Sequence, residues 1–308
     1  MISEVCRTVN EYWRKRYGER VQKIPLNADF SCPNRDGSKA VGGCIYCDND
    51  TFNFSPRAPL REQLQLGIER ARRRHRARKF LAYFQTFSNT YGSPDALYDA
   101  YSTILDFPEV IGLSVGTRPD CVPEENLRVI ERFRRTHEVW IEYGLESSND
   151  TSLRRMNRGH TFADFADAVR RTAGRGIGIV AHVILGFPWE DEKTMLQTGL
   201  DVASLPVDAI KIHNLYVVRD TAMERMYRRE PFPLMSMQDY IRMTANVLEV
   251  LPPEMIIMRL TAECPVHALV APDWCNNKQD ILAGIEAELR SRDSRQGQLS
   301  AACSNRGR

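Results

Sequence analysis

Short runs of β-branched and aromatic residues alternate along the chain with longer stretches whose apolar positions recur at helical spacing. Six runs stand out: 21–27 (VQKIPLN), 79–86 (KFLAYFQT), 109–116 (EVIGLSVG), 138–145 (EVWIEYGL), 177–185 (IGIVAHVIL) and 207–215 (VDAIKIHNL). Runs of this length predict strands, and the alternation with helical stretches predicts repeated βα units on a parallel sheet. The intervening segments open with helix-start signals: Ser93-Pro94-Asp95, Pro123-Glu124-Glu125 and Glu190-Asp191-Glu192. Acidic residues there suit the positive end of the helix dipole. Six such units build either an open doubly wound sheet or an incomplete barrel, and periodicity alone does not separate the two.

The alternation stops after residue 216. The C-terminal segment beyond it predicts a helix near 238–251, a short strand in EMIIMRL, a loop, and a helix near 278–291. The expected organisation is a core over 1–291, with a barrel or sheet over about 20–216, an extension over 217–291, and a disordered tail over 292–308 in which Cys303 has no role.

Composition narrows the class. A chain of 308 residues that is 43 % apolar can fill a sizeable core. No stretch approaches the roughly 18 uncharged apolar residues of a membrane span, and the polar start MISEVCRTVNEYWRKRYGER is unlike a signal peptide. The cytoplasm is therefore the expected location, with no membrane partner. Eight cysteines in a reducing compartment point to metal or catalytic duty rather than to disulfides. The formal charge of +2, from 42 basic and 40 acidic residues, says little about partners.

The most informative segment is the loop after the first predicted strand, where Cys32, Cys44 and Cys47 stand in the spacing C(x11)C(x2)C. Gly37, Gly42 and Gly43 allow the loop to curl and turn several sulfurs toward one point. A structural zinc or an electron-transfer 4Fe-4S cluster normally takes four protein ligands. With three, one iron of a cluster stays open to bind a small molecule and pass it an electron. The alternative is a zinc knuckle completed by a distant residue such as Cys6, Cys121, Cys264, Cys275 or a histidine.

This loop resembles that of radical S-adenosylmethionine (SAM) proteins, in the YhcC-like branch related to the Elongator catalytic subunit. The resemblance runs from about residue 20 to 291 through FSCPNRDG, GGCIYC, YFQTFSNTY, GLSVGTRPDCV, IEYGLESSNDTSLRRMNRGH, HVILGFPWE, IKIHNLYVVRDTAM and RLTAECP. It implies an α/β fold, a partial (β/α)6 TIM-like barrel with a C-terminal extension of helix and strand. It also implies a [4Fe-4S] cluster on Cys32, Cys44 and Cys47 at the C-terminal mouth of the strands, with S-adenosyl-L-methionine as cosubstrate.

The same resemblance puts Tyr46 beside the adenine, and Glu146 with Arg158 on the SAM ribose and carboxylate. Two departures matter. Relatives carry a glycine-rich turn after the second strand where this chain reads Tyr83-Phe84-Gln85-Thr86, so Gln85 or Asn89 substitutes or merely packs. Relatives often have Glu before Thr-Arg-Pro-Asp, where this chain has Gly116. Glu142, His182, Lys211 and His213 fall at barrel positions that could touch SAM or substrate, or serve the core. Residues Asp273 to Asn276 either close the mouth or pack.

The run from Glu69 to Lys79 concentrates basic residues at the end of the first predicted helix, either as a solvated face or as a grip on a phosphate backbone. Elongator-type relatives modify wobble uridine in tRNA, and the resemblance extends that expectation to remodelling of the five-position side chain. It further implies an external electron donor of the flavodoxin or ferredoxin type and sensitivity to oxygen. The competing readings are the same radical chemistry on a small metabolite or peptide, and a non-enzymatic zinc-binding module.

Overall fold

In the computed structural model, which describes residues 1–48, 51 and 58–300, every one of the six runs forms a strand. These are β1 (Val21–Leu26), β2 (Lys79–Phe84), β3 (Val110–Thr117), β4 (Glu138–Glu146), β5 (Gly178–Leu185) and β6 (Ala209–Asn214), and they pair parallel in chain order. A seventh parallel strand, β8 (Ile256–Arg259), adds to β6. The strand expected in EMIIMRL thus joins the main sheet at the edge of β6. Its reason is physical: without it the outer edge of β6 would present unpaired backbone groups beside a buried core.

Helices α1 (Val9–Tyr17), α2 (Leu60–His75), α3 (Pro94–Ser102), α4 (Glu124–Phe133), α5 (Asp150–Arg155), α6 (Phe162–Thr172) and α7 (Glu192–Ala203) precede and connect the strands. Ser93, Asn149, Thr161 and Asp191 cap α3, α5, α6 and α7 with side-chain oxygens, which satisfies backbone N–H groups the helix itself leaves open. The helices α8 (Ala222–Arg229), α9 (Met237–Val250) and α10 (Lys278–Ser291) complete the chain, with a two-stranded antiparallel sheet of β7 (Val217–Val218) and β9 (Leu269–Ala271). The helices near 238–251 and 278–291 stand where the periodicity put them.

Side chains on the inner face stack in layers from the N-terminal ends of the strands upward. The lowest layer is apolar: Val21, Leu81, Trp140, Val180, Ala209 and Ile256, closed by Val9 and Trp13 of α1. Glu138 takes hydrogen bonds from both indoles, at 3.3 Å from Trp13 and 2.7 Å from Trp140, and so fastens the plug. Two residues further along the same strands come Lys23, Tyr83, Glu142, His182 and Lys211, and two beyond those Gln85, Gly144, Ile184 and His213. Lys23 of β1 lies 3.7 Å from the Met258 sulfur of β8, so the two edges of the sheet curl toward each other. The result is the expected partial barrel, with seven strands rather than six.

Residues 292–300 depart from the expected disorder. Gln296 donates to the carbonyls of Pro252 and Met255 at 2.7 and 2.8 Å and accepts from the Arg7 amide at 2.9 Å, while Arg292 pairs with Glu249 at 3.0 Å. A polar segment stays ordered here because it satisfies backbone groups of α1's approach and of the turn after α9. Residues 301–308, with Cys303, lie outside the described residues.

Gly112 shows how close the strands pack: a Cβ there would stand 1.8 Å from the Glu138 carbonyl oxygen. Gly112→Ala is expected to destabilise the protein by about 2 kcal/mol or more, measured as a lowered midpoint in chemical denaturation.

Candidate functional site

The loop after β1 crosses the rim where the strands end, and neighbouring elements fix it there. The Ile45 amide donates to the Met156 carbonyl at 3.0 Å, Asn157 donates to the Gly43 carbonyl at 2.8 Å, and the Met223 amide donates to the Ile45 carbonyl at 2.8 Å. Asn34, fully buried, donates to the Arg158 carbonyl at 3.0 Å and lies 3.6 Å from the Cys44 sulfur. Gly37, Gly42 and Gly43 all have positive φ, the conformation the curled loop requires.

One cavity of about 170 Å³ opens under this loop. Cys32, Cys44, Cys47, Tyr46, Gln85, Glu142, Glu146, Arg158 and His182 all line it, so the three candidate cluster ligands and most residues named for the cosubstrate meet at one place, whereas Asn89, Lys211 and His213 are not among its lining residues. An adjoining cavity of about 160 Å³ shares Tyr46, Cys47, Glu146 and His182 and adds Ile184, His213 and Tyr216. None of the described cysteines is in a disulfide.

Arg158 is the pivot. It donates to the Gly144 carbonyl at 2.6 Å, lies 3.5 Å from the Cys44 sulfur and 3.3 Å from the Glu146 carboxylate, and its Nε has no hydrogen-bond partner among the described residues. Arg118, also buried, donates to the Arg158 carbonyl at 2.6 Å and grips Asp120 through two nitrogens. A Cβ on Gly144 would stand 2.3 Å from the Arg158 guanidinium, so glycine is what lets the arginine reach this carbonyl. Glu146 takes φ of 73° after a break in register between Gly144 and Glu146, which turns its side chain over the rim. Burial raises the Glu146 carboxyl, against the pull of Arg158.

Burial pushes the Cys47 thiol up to about 12, with Cys44 adding to the rise and Arg35 and Arg158 opposing it. A metal centre reverses that balance, because a coordinated thiol loses its proton outright. Among the described residues no three His, Cys, Asp or Glu side chains converge on a single-ion site. The three thiols that line the cavity are the donor type an iron–sulfur cluster takes.

Below the cavity Glu142 is fully buried and accepts from Lys23 at 2.9 Å, Ser114 at 2.6 Å, His182 at 2.7 Å and Lys211. Lys211 also donates to the Tyr83 hydroxyl at 3.0 Å. Burial alone would raise the Glu142 carboxyl, but Lys211, Lys23 and His182 hold it well below its usual range. Burial, and then Lys211, depress His182 to about 4, so the imidazole is neutral at pH 7.

Other candidates pack instead. Asn89 donates to the Thr86 and Gly116 carbonyls, both at 2.9 Å, and braces β2 against β3. Trp274 donates to the Met235 carbonyl at 3.0 Å and Asn276 accepts from the Cys264 amide at 3.0 Å, so residues 273–276 hold the C-terminal cap together. Asn34, Tyr83, Ser114 and Arg118 stand inside the segments that carry the resemblance but have no role assigned there, and Lys23 lies outside them. Their signal was positional, two residues from other inward positions on a predicted strand or beside a loop cysteine.

Two family models match the chain: the radical SAM superfamily over residues 37–201 and the radical SAM C-terminal domain over 207–291. The chain is 35 % identical over 278 residues to protein YhcC of Escherichia coli strain K12, across 89 % of each chain. It is 22 % identical over 163 residues to Elongator complex protein 3 of Mus musculus, covering 52 % of this chain and 29 % of that one. The solved structure of the Methanocaldococcus infernus Elp3 with an N-terminal deletion superposes at a TM-score of 0.68 and 15 % identity, covering 92 % of this chain and 65 % of that one. No helix among the described residues is long and apolar enough to cross a membrane.

Glu142→Gln leaves the buried Lys211 and the half-buried Lys23 short of their counter-charge, an expected loss of about 3–5 kcal/mol at pH 7. Because the folded carboxyl titrates below the unfolded value of about 4.3, its contribution is present above that pH and lost as pH falls through the depressed folded value. Denaturation measured from pH 7 downward is expected to show a steeper acid-side loss in the wild type than in the variant.

Proposed function

The chain belongs to the radical SAM superfamily, and from that premise we propose that it is an enzyme holding a [4Fe-4S] cluster on Cys32, Cys44 and Cys47. The observation that carries the reading is the single cavity that these cysteines share with Tyr46, Gln85, Glu146, Arg158 and His182. Held by these three cysteines, such a cluster would supply the electron for reductive cleavage of S-adenosyl-L-methionine to methionine and a 5'-deoxyadenosyl radical able to take hydrogen from an unactivated C–H bond.

The protein's own residues bind, orient and exclude. Arg158, with a buried donor unused, offers a fork to a carboxylate, and Glu146 beside it accepts from ribose hydroxyls. Tyr46 gives the adenine an aromatic face, with Ile184 in the adjoining cavity. Gln85 serves the amino group in place of the relatives' glycine-rich turn. Gly116 cannot supply the carboxylate relatives often hold there, so Glu146 takes the ribose alone. The apolar plug and the curled edges keep water and stray hydrogen donors out. An external donor of the flavodoxin or ferredoxin type would supply the electron.

We infer tRNA as the substrate class, with the five-position side chain of a wobble uridine as the target, from the likeness to Elongator-type proteins. A surface feature at the other end of the barrel, beside the N-terminal starts of β1 and β3, offers a further contact for a polynucleotide long enough to reach it. Arg72 pairs with Glu109 at 2.7 Å and Arg78 with Glu19 at 3.0 Å, whereas the exposed Arg70, Arg73, Arg74 and Arg76 have no ion pair among the described residues. Unpaired arginines are the ones able to meet phosphates.

Reconstituted protein given dithionite and SAM without oxygen is expected to form 5'-deoxyadenosine, with formation abolished by Cys44→Ala and reduced by about a hundredfold or more in Arg158→Ala. No deoxyadenosine from cluster-loaded protein would defeat the enzyme reading. Changing Arg70, Arg73, Arg74 and Arg76 to Glu is expected to abolish tRNA retention and flatten its salt dependence, while basal SAM cleavage stays unchanged.

A further inference from the structure

The middle layer of the barrel carries more positive than negative charge, and the chemistry above leaves the excess unused. Each oxygen of Glu142 already has two partners, Lys23 and Ser114 on Oε1, His182 and Lys211 on Oε2. A carboxylate oxygen has two lone pairs, so this group is saturated. Two ammonium groups therefore share one carboxylate.

A third cation joins them. The register between β6 and β8 slips after Ile210, so that Lys211 pairs with Arg259 and Met258 is left over. Paired residues on neighbouring strands point to the same face of a sheet, and Lys211 points inward, so the slip brings Arg259 round to the barrel side. Arg259 makes no hydrogen bond or ion pair among the described residues, and it is exposed. Asp48 lines the adjoining cavity with His213 and accepts from the Thr51 hydroxyl. Glu146, the other carboxylate lining the cavity, is taken by Arg158 at 3.3 Å. His182 is neutral, and the His213 ring lies 5.5 Å from it with a buried Nε2 that has no partner among the described residues. Tyr83, Glu142 and His182 connect this cationic floor to the cavity that the cluster cysteines line.

We propose that Arg259, with Lys211 beside it, receives an anionic group of the substrate, a carboxylate or a phosphate, while His213 gives it a further hydrogen bond. Arg259 is then a specificity-determining residue: it selects the charged substrate over its neutral counterpart and takes no part in SAM cleavage. The assignment rests on the radical reading of this cavity, and on the uridine reading for the choice of probes.

The test titrates cluster-loaded, SAM-bound protein by calorimetry with six probes. They are uridine, uridine 5'-phosphate, 5-carboxymethyluridine, its methyl ester, inorganic phosphate and acetate. One charged nucleoside is expected to bind about tenfold or more tightly than its neutral counterpart, as a charge-assisted contact implies. The phosphate or the carboxymethyl probe identifies which anion is read. Arg259→Gln is expected to reduce that preference to within about twofold while the cluster signal and SAM binding stay as in the wild type. If no nucleoside binds but phosphate or acetate does, and Arg259→Gln abolishes that binding, the uridine reading falls and the anion site stands. Equal binding of charged and neutral probes with no binding of the simple anions overturns the proposal, as does a preference that survives Arg259→Gln.

Discussion

A loop without regular structure has to hold three thiols still over an open barrel, and the turn from Met156 to His160 is what makes that possible. The Met156 carbonyl receives the loop at Ile45, Asn157 holds Gly43, and the Arg158 carbonyl collects Asn34 and Arg118. The Arg158 side chain then joins Cys44 to the end of β4 through Gly144 and Glu146. One turn therefore couples cysteine loop, third strand and fourth strand. The links through Asn34, Arg118 and Arg158 use donors on buried side chains that would otherwise lack these partners, which makes the arrangement specific as well as stable.

The barrel beneath supplies two contrasting layers. The lowest is apolar and sealed by α1, and its cohesion comes from removing indole and aliphatic surface from water. The layer above is ionic, with one carboxylate among two lysines and one imidazole. A buried ionic group of this kind contributes little net stability against an apolar replacement of the same shape. Its presence directly under the cavity, at positions where Leu or Val would pack, points to a use in binding. A parallel sheet gives this layering for free, because all strand C-termini lie at one end and successive inward residues rise together toward it.

Much of this was legible in the sequence. The six strands announced themselves because a strand buried on both faces reads as an almost unbroken apolar run, and the cysteines did so through spacing and position after the first of them. The site candidates Tyr46, Gln85, Glu146, Arg158 and His182 converge on one cavity, although their roles there stay proposals. What was hidden has local causes. The helix α1 is short and rich in charge, so its two buried residues, Val9 and Trp13, gave no periodic signal. The strand β8 is expected in EMIIMRL, but nothing in its four residues says that it joins the main sheet beside β6. Residues 292–300 look disordered by composition and are held by contacts of Gln296 and Arg292 that no local pattern encodes. Asn34 and Arg118 act through backbone carbonyls distant in sequence, which only the fold brings near.

The central claim is a three-cysteine cluster with one iron open to S-adenosylmethionine. It is tested most directly by electron paramagnetic resonance of the anaerobically reduced protein, recorded with and without SAM alongside iron, sulfide and zinc analysis. The account predicts a 4Fe-4S signal that changes shape when SAM is added, with about four irons and four sulfides per chain. Stoichiometric zinc with no cluster after reconstitution, or a cluster signal indifferent to SAM, would contradict it.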